Sequence, residues 1–69
     1  REDDMKINVE KVTRARKHQG RTANWLAARI GVIYVTYSNW VKANHIPEKY
    51  AESISHALGI PMEDLTDDN

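Results

Sequence analysis

Cysteine is absent, which excludes disulfides, thiolate nucleophiles and zinc–thiolate sites and fits a reducing cytosol. No apolar run approaches the roughly 20 residues of a membrane span, and no signal-peptide pattern opens the chain. Charge of one sign is not in excess either. Ten Lys/Arg balance ten Asp/Glu, and a net charge of zero argues at face value against a nucleic-acid partner. The 69 residues make one small domain, which buries only about 60% of the surface its unfolded chain exposes. Without disulfides, its stability must come from close helix packing. Residues 1–7 read as a disordered N-terminus or cloning remnant, 8–66 as the folded domain and 67–69 as an acidic tail.

The charge that is present is unevenly placed. From Lys11 to Pro47 there are seven Lys/Arg residues and no Asp or Glu. The ten residues before this window carry −2 and the 22 after it carry −5. Phosphate binding needs a local positive field rather than a positive total, and this segregation supplies one. The bland alternative is a solvated helix surface with the acids elsewhere by chance.

Helix signals recur along the chain. Asn8 suits the cap of a first helix from Val9 to His18, with Val12 and Ala15 inward and Gly20 as its stop. Thr22 suits the cap of a second, Ala23 to Ile30, whose apolar stripe is Leu26, Ala27 and Ile30. Gly31 permits a sharp reversal at positive φ. A third helix is expected from Tyr34 to Ala43, with Tyr37, Trp40 and Val41 buried and Tyr34, Val35, Ser38, Asn39 and Lys42 outside. Asn44, tolerant of the left-handed region, makes the next turn with His45. Pro47 opens a fourth helix, Glu48 to Leu58, with Tyr50, Ala51, Ile54, Ala57 and Leu58 inward. Gly59 ends it, and Pro61 opens a short fifth helix, Met62 to Leu65. Trp25 is expected at an edge, packed on the first or fourth helix.

Two helices joined by one tight turn between Thr22 and Asn39 read as a helix-turn-helix, in which one helix crosses the DNA backbone and the next enters the major groove. Here the chain resembles the Cro/repressor-type (lambda-repressor-like, XRE) family. The matching residues are Leu26-Ala27, Gly31-Val32, Ser38-Asn39-Trp40, Ala57-Leu58-Gly59-Ile60 and Glu63-Asp64-Leu65. Arg21-Thr22 with Trp25-Leu26-Ala27 looks like a bacterial subset. The resemblance spans Val12 to Leu65 and implies an all-α fold, a compact bundle of five short helices. It also implies a cytoplasmic bacterial or phage transcriptional regulator, of repressor type, bound to double-stranded DNA as a homodimer on a palindromic site. Dimerisation is implied for the C-terminal part, where Ile60, Met62 and Leu65 are the apolar candidates.

Three positions depart from that family's pattern. Ile33 replaces the usual Ser or Thr cap of helix three, a loss of about 1 kcal/mol. Tyr37 replaces an Ile, and its hydroxyl must find a partner or reach water. Arg16 lacks its usual Glu, because that position is Val41. This leaves Arg16 free for solvent or DNA, or paired with another acid such as Glu52.

By position on the third helix, Tyr34, Val35, Ser38 and Asn39 are the base-contacting candidates. Asn39 suits a bidentate contact to adenine, and Val35 and Tyr34 suit a thymine methyl. Phosphate candidates are Arg21, Thr22, Ala23 and Asn24 at the start of helix two, together with Thr36, Lys42, Asn44 and His45. The face is apolar and lacks Arg and Gln, so an A/T-leaning half-site with modest discrimination is expected. Trp25 has stacking on nucleic acid as an alternative to packing. The three histidines share no ligand spacing, and Asp64, Asp67 and Asp68 lack the pattern of a calcium loop. No nucleophile–base pair, metal, cofactor or small-molecule site is evident, and no membrane partner, so an enzyme is not expected. The competing hypothesis is a protein-interaction module on the same fold, an antitoxin or adaptor.

Overall fold

A computed structural model describes residues 5–68. In chain order the elements are β1 (Met5–Ile7), α1 (Val9–His18), α2 (Ala23–Arg29), α3 (Tyr34–Ala43), α4 (Ala51–Leu58) and β2 (Thr66–Asp68). Single 3-10 turns occupy Glu48–Tyr50 and Met62–Asp64. The fold is all-α in character, as the resemblance implied, but with four α-helices rather than five. The fourth helix begins at Ala51 rather than Glu48, and the expected fifth is a single 3-10 turn; both differences follow the prolines. Pro47 and Pro61 are extended, with ψ of 135° and 143°, and each is followed by three residues in the tighter 3-10 form. After Pro61 the chain must deliver Leu65 to the core, so no α-turn can develop.

The capping residues act as their chemistry dictates. Asn8 Oδ1 accepts from the Lys11 amide at 2.9 Å and Thr22 Oγ1 accepts from the Trp25 amide at 3.0 Å, each satisfying an orphan helix donor. Ile33 stands at the cap of α3 without a side-chain bond. Two of the stops share one geometry. Gly31 (φ 84°) places the Val32 amide on Ala27 O and its own amide on Ala28 O. Asn44 (φ 56°) likewise directs the His45 amide to Trp40 O and its own to Val41 O. These two turns fix where α3 begins and ends.

The core joins Val9 and Val12 of α1, Leu26 and Ala27 of α2, Tyr37 of α3 and Ile54 and Leu58 of α4, with Ile7, Ile30, Ile46 and Leu65 from the connecting segments. Ala27, fully buried, is small enough for α3 to cross closely over α2. The buried stripe of α3 is narrower than expected. Tyr37 is enclosed, Trp40 is half-buried, and Val41 is 39% exposed.

The chain ends form an antiparallel ribbon, β1 on β2, with Met5 opposite Asp68, Lys6 opposite Asp67 and Ile7 opposite Thr66. Of the segment expected to be disordered, residues 1–4 lie outside the described residues, as does Asn69 of the expected acidic tail. Met5–Ile7 is instead a strand, because Ile7 reaches the core beside Leu65 and contributes about 2 kcal/mol by burial. Asn8 tightens the clasp, its side-chain amide donating to both carboxylate oxygens of Asp67 at 3.0 and 2.9 Å. Among the described residues no helix is long and apolar enough to cross a membrane.

Candidate nucleic-acid interface

The α2–turn–α3 unit presents α3 outward. Val35, Asn39 and Lys42, spaced i, i+4 and i+7, are all exposed and form its outer stripe. Tyr34 is 51% exposed beside that stripe, and Ile33 before it is 69% exposed. Ile33, Tyr34 and Val35 thus make an apolar patch at the leading end of α3. Ser38 is half-buried and turns toward α1, so of the four base-contacting candidates it is the least available.

Around the start of α2, Arg21, Thr22 and Asn24 are exposed and Ala23 is half-buried. The Arg21 guanidinium lies 4.5 Å from the centre of the Trp25 ring, and that of Arg29 lies 5.5 Å from it. Trp25 also packs against the core, so its ring orders two cations at the edge of the motif. Thr36 is half-buried. At the far end of α3, Lys42, Asn44 and His45 are exposed, but Asn44 and His45 share a cleft with Glu10 and Asp67. Lys6 also lines that cleft, but the two acids outnumber it and weaken the field that a phosphate would meet there. The structure therefore groups Arg21 to Asn24 with the outer stripe, and sets Asn44 and His45 apart.

Arg16 is neither free in solvent nor paired with Glu52. Its Nη1 donates to the Arg21 carbonyl at 2.8 Å, closing the α1–α2 turn. Its Nε is buried, as is the Tyr37 hydroxyl. The two face each other, and neither has a further partner among the described residues. Burial pushes the Tyr37 phenol above its ordinary value, and the charge of the Arg16 guanidinium and its hydrogen bond to the hydroxyl oppose that shift. Arg16 and Val41 line one cleft between α1 and α3, as the family's Arg–Glu pairing of these two positions implies, and Tyr37 joins them there without a sequence signal.

The three dimerisation candidates do not form one patch. Leu65 is 2% exposed and belongs to the core, because the turn after Pro61 points it inward. Ile60 is half-buried in a groove against α1, while Met62, 40% exposed, lines a different cleft beside Ile7 and Ala51.

A helix-turn-helix family model matches residues 12–65, from the first buried valine of α1 through the last core leucine. No curated protein and no solved structure matches the chain significantly.

Proposed function

This chain belongs to the Cro/repressor-type (XRE) helix-turn-helix family, a family of DNA-binding regulators and not of enzymes, and we propose that it binds double-stranded DNA sequence-specifically as a transcriptional repressor of bacterial or phage type. The observation that carries the reading is the outer stripe of α3. Val35, Asn39 and Lys42 stand free of the core, within the acid-free window that also holds the Arg21–Asn24 edge. In this reading α3 enters the major groove. Asn39 reads adenine through two hydrogen bonds, Val35 and Tyr34 contact thymine methyls, and Lys42 reaches a phosphate of the flanking backbone. Arg21 and the hydroxyl of Thr22 engage the other phosphates, and the bound form is a homodimer on two half-sites.

The test is selection of duplexes from a random pool, followed by titration at two salt concentrations. An enriched, palindromic, A/T-leaning motif is expected. If each half-site neutralises about three phosphates, the log–log salt slope of the dimer is about −5. Asn39→Ala relaxes preference at one base position, whereas Arg21→Ala weakens all sequences about equally. No enrichment together with salt-insensitive affinity would rule the reading out.

One observation favours a second reading. Ile33, Tyr34 and Val35 expose an apolar patch where a DNA-reading helix usually carries polar groups. A protein-interaction module of antitoxin or adaptor type would use that patch against a protein partner. It would then show no duplex enrichment, and Asn39→Ala would be silent in the titration.

A further inference from the structure

Arg21, Trp25 and Arg29 are spaced four residues apart, so they share one face of α2 and the turn before it. The indole of Trp25 is half-buried and packed on the core, while both arginines are exposed. The Arg21 guanidinium stands 4.5 Å from the centre of this one ring, and that of Arg29 stands 5.5 Å from it. The two cations are therefore no more than 10 Å apart. The Debye length is about 10 Å at 0.1 M salt, so each feels the other's charge. Neither guanidinium makes a hydrogen bond or an ion pair among the described residues. Arg29 also borders a cleft with Glu52 and His56, yet forms no ion pair there. Like charges held together cost free energy, and the negative face of the indole offsets only part of that cost. The ring supplies no acceptor oxygen, so the N–H donors of both arginines remain free for bidentate contact with an oxyanion.

We infer that Arg29 contacts a DNA phosphate, and that Trp25 is the positioning residue that holds Arg21 and Arg29 together against the backbone. The inference rests on the DNA reading above and extends its footprint from the start of α2 to its end. Arg21 is the anchor of the row. Its carbonyl is held by Arg16 Nη1 at 2.8 Å and its side chain by the ring, so it is fixed at both ends. Side chains ordered before binding lose less freedom on binding. Each DNA strand carries one phosphate per about 3.4 Å of helix axis, so a second cation this near the anchor meets a neighbouring phosphate. Arg21 and Lys42 are the Lys/Arg members of the phosphate candidates, and Arg29 supplies the third cation that about three phosphates per half-site require. An acidic protein segment is the competing occupant. The row's continuity with exposed Thr22 and Asn24, on the edge assigned to the backbone, favours DNA.

The test titrates the full chain into a duplex enriched from the random pool, across a range of salt concentrations. Arg29→Gln should weaken binding about tenfold at low salt and reduce the log–log slope of the dimer from about −5 to about −3.5. Arg29→Lys keeps the charge and should keep the slope near −5. Arg14→Gln, which removes an exposed α1 cation paired with Glu10, should change affinity by less than about twofold. The role of Trp25 is read from a double-mutant cycle with Tm followed in parallel. In a Trp25→Leu background, Arg29→Gln should cost only about threefold or less, because the arginine is no longer held. A Trp25 that merely packs would lower Tm on substitution and leave the Arg29→Gln effect at full size, which overturns the positioning role. Unchanged affinity and slope in Arg29→Gln, with the wild-type chain still bound to its duplex, overturn the phosphate contact and leave the DNA reading standing. If the same variant then loses binding to a poly-glutamate peptide, the row belongs to an acidic protein partner. A wild-type chain that enriches no duplex overturns both the reading and the inference.

Discussion

On the flank of α3 that faces Tyr50, aromatic rings make the packing. Trp40 lies tilted against the Tyr50 ring at 4.8 Å and meets Tyr37 edge-on at 6.3 Å. On the flank that faces α1, packing stops short. Val41 is 39% exposed, and the buried Arg16 Nε and Tyr37 hydroxyl have no polar partner beyond each other among the described residues. One flank is cemented by aromatic surface, and the other is propped open by polar groups. The helix is therefore anchored along one side, and adjustment by mutation is available along the other.

The largest expected effect comes from breaking the aromatic flank. Trp40→Ala should cost about 3 kcal/mol, the low end for a large aromatic because Trp40 is half-buried. In a domain of this size that lowers Tm by roughly 12–24 °C, which a thermal melt reads directly. A loss below about 1 kcal/mol would show that the two flanks do not differ as described.

The polar flank should respond less. Tyr37→Phe removes a buried hydroxyl whose one neighbouring polar group is the Arg16 guanidinium, so stability at neutral pH should change by less than about 1 kcal/mol. Its pH dependence carries a further signature. Burial raises the native Tyr37 pKa, whereas the unfolded chain ionises near its ordinary value of 10.0. Above that pH the native state holds more protons than the unfolded one, so stability falls as pH rises toward the native pKa. Below pH 10 this contribution is fully present. The difference between wild-type and Tyr37→Phe denaturation curves should therefore open only on the alkaline side, in favour of the variant. Curves that stay parallel through alkaline pH would remove the burial argument.

The smallest effect concerns the leading end of α3, which both flanks share. Ile33→Ser supplies the missing cap and should gain about 1 kcal/mol or somewhat less, measured by urea denaturation. A loss on substitution would mean that the exposed Ile33 side chain contributes packing that its 69% exposure does not suggest.

What was legible in the sequence was local. Asn8, Thr22, Gly31 and Asn44 act through hydrogen bonds and dihedrals within a few residues, so residue type alone locates the ends of α1, α2 and α3. The outer stripe of α3 was legible for the same reason, since helical phase assigns it once the turn is placed. Features that depend on distant chain were not. Met5–Ile7 offers three residues and no period, and its strand exists only because Thr66–Asp68 arrives beside it. Ile46 is 2% exposed yet lies in a connection, where no periodicity marks a core position. Val41 follows the buried phase of α3, but α1 does not extend over it. Leu65 belongs to an apolar group that suggested a dimer surface, and only the course of the chain after Pro61 shows that it faces inward.

The central claim is that the outer stripe of α3, with the edge at the start of α2, is the surface that meets DNA. Amide chemical-shift mapping on addition of a duplex enriched from the random pool tests it most directly. Shifts should concentrate at Val35, Asn39 and Lys42 and from Arg21 to Asn24. Shifts confined to the groove of Lys11, Arg14, His18, Ile60 and Glu63, with Val35 and Asn39 unmoved, would contradict it.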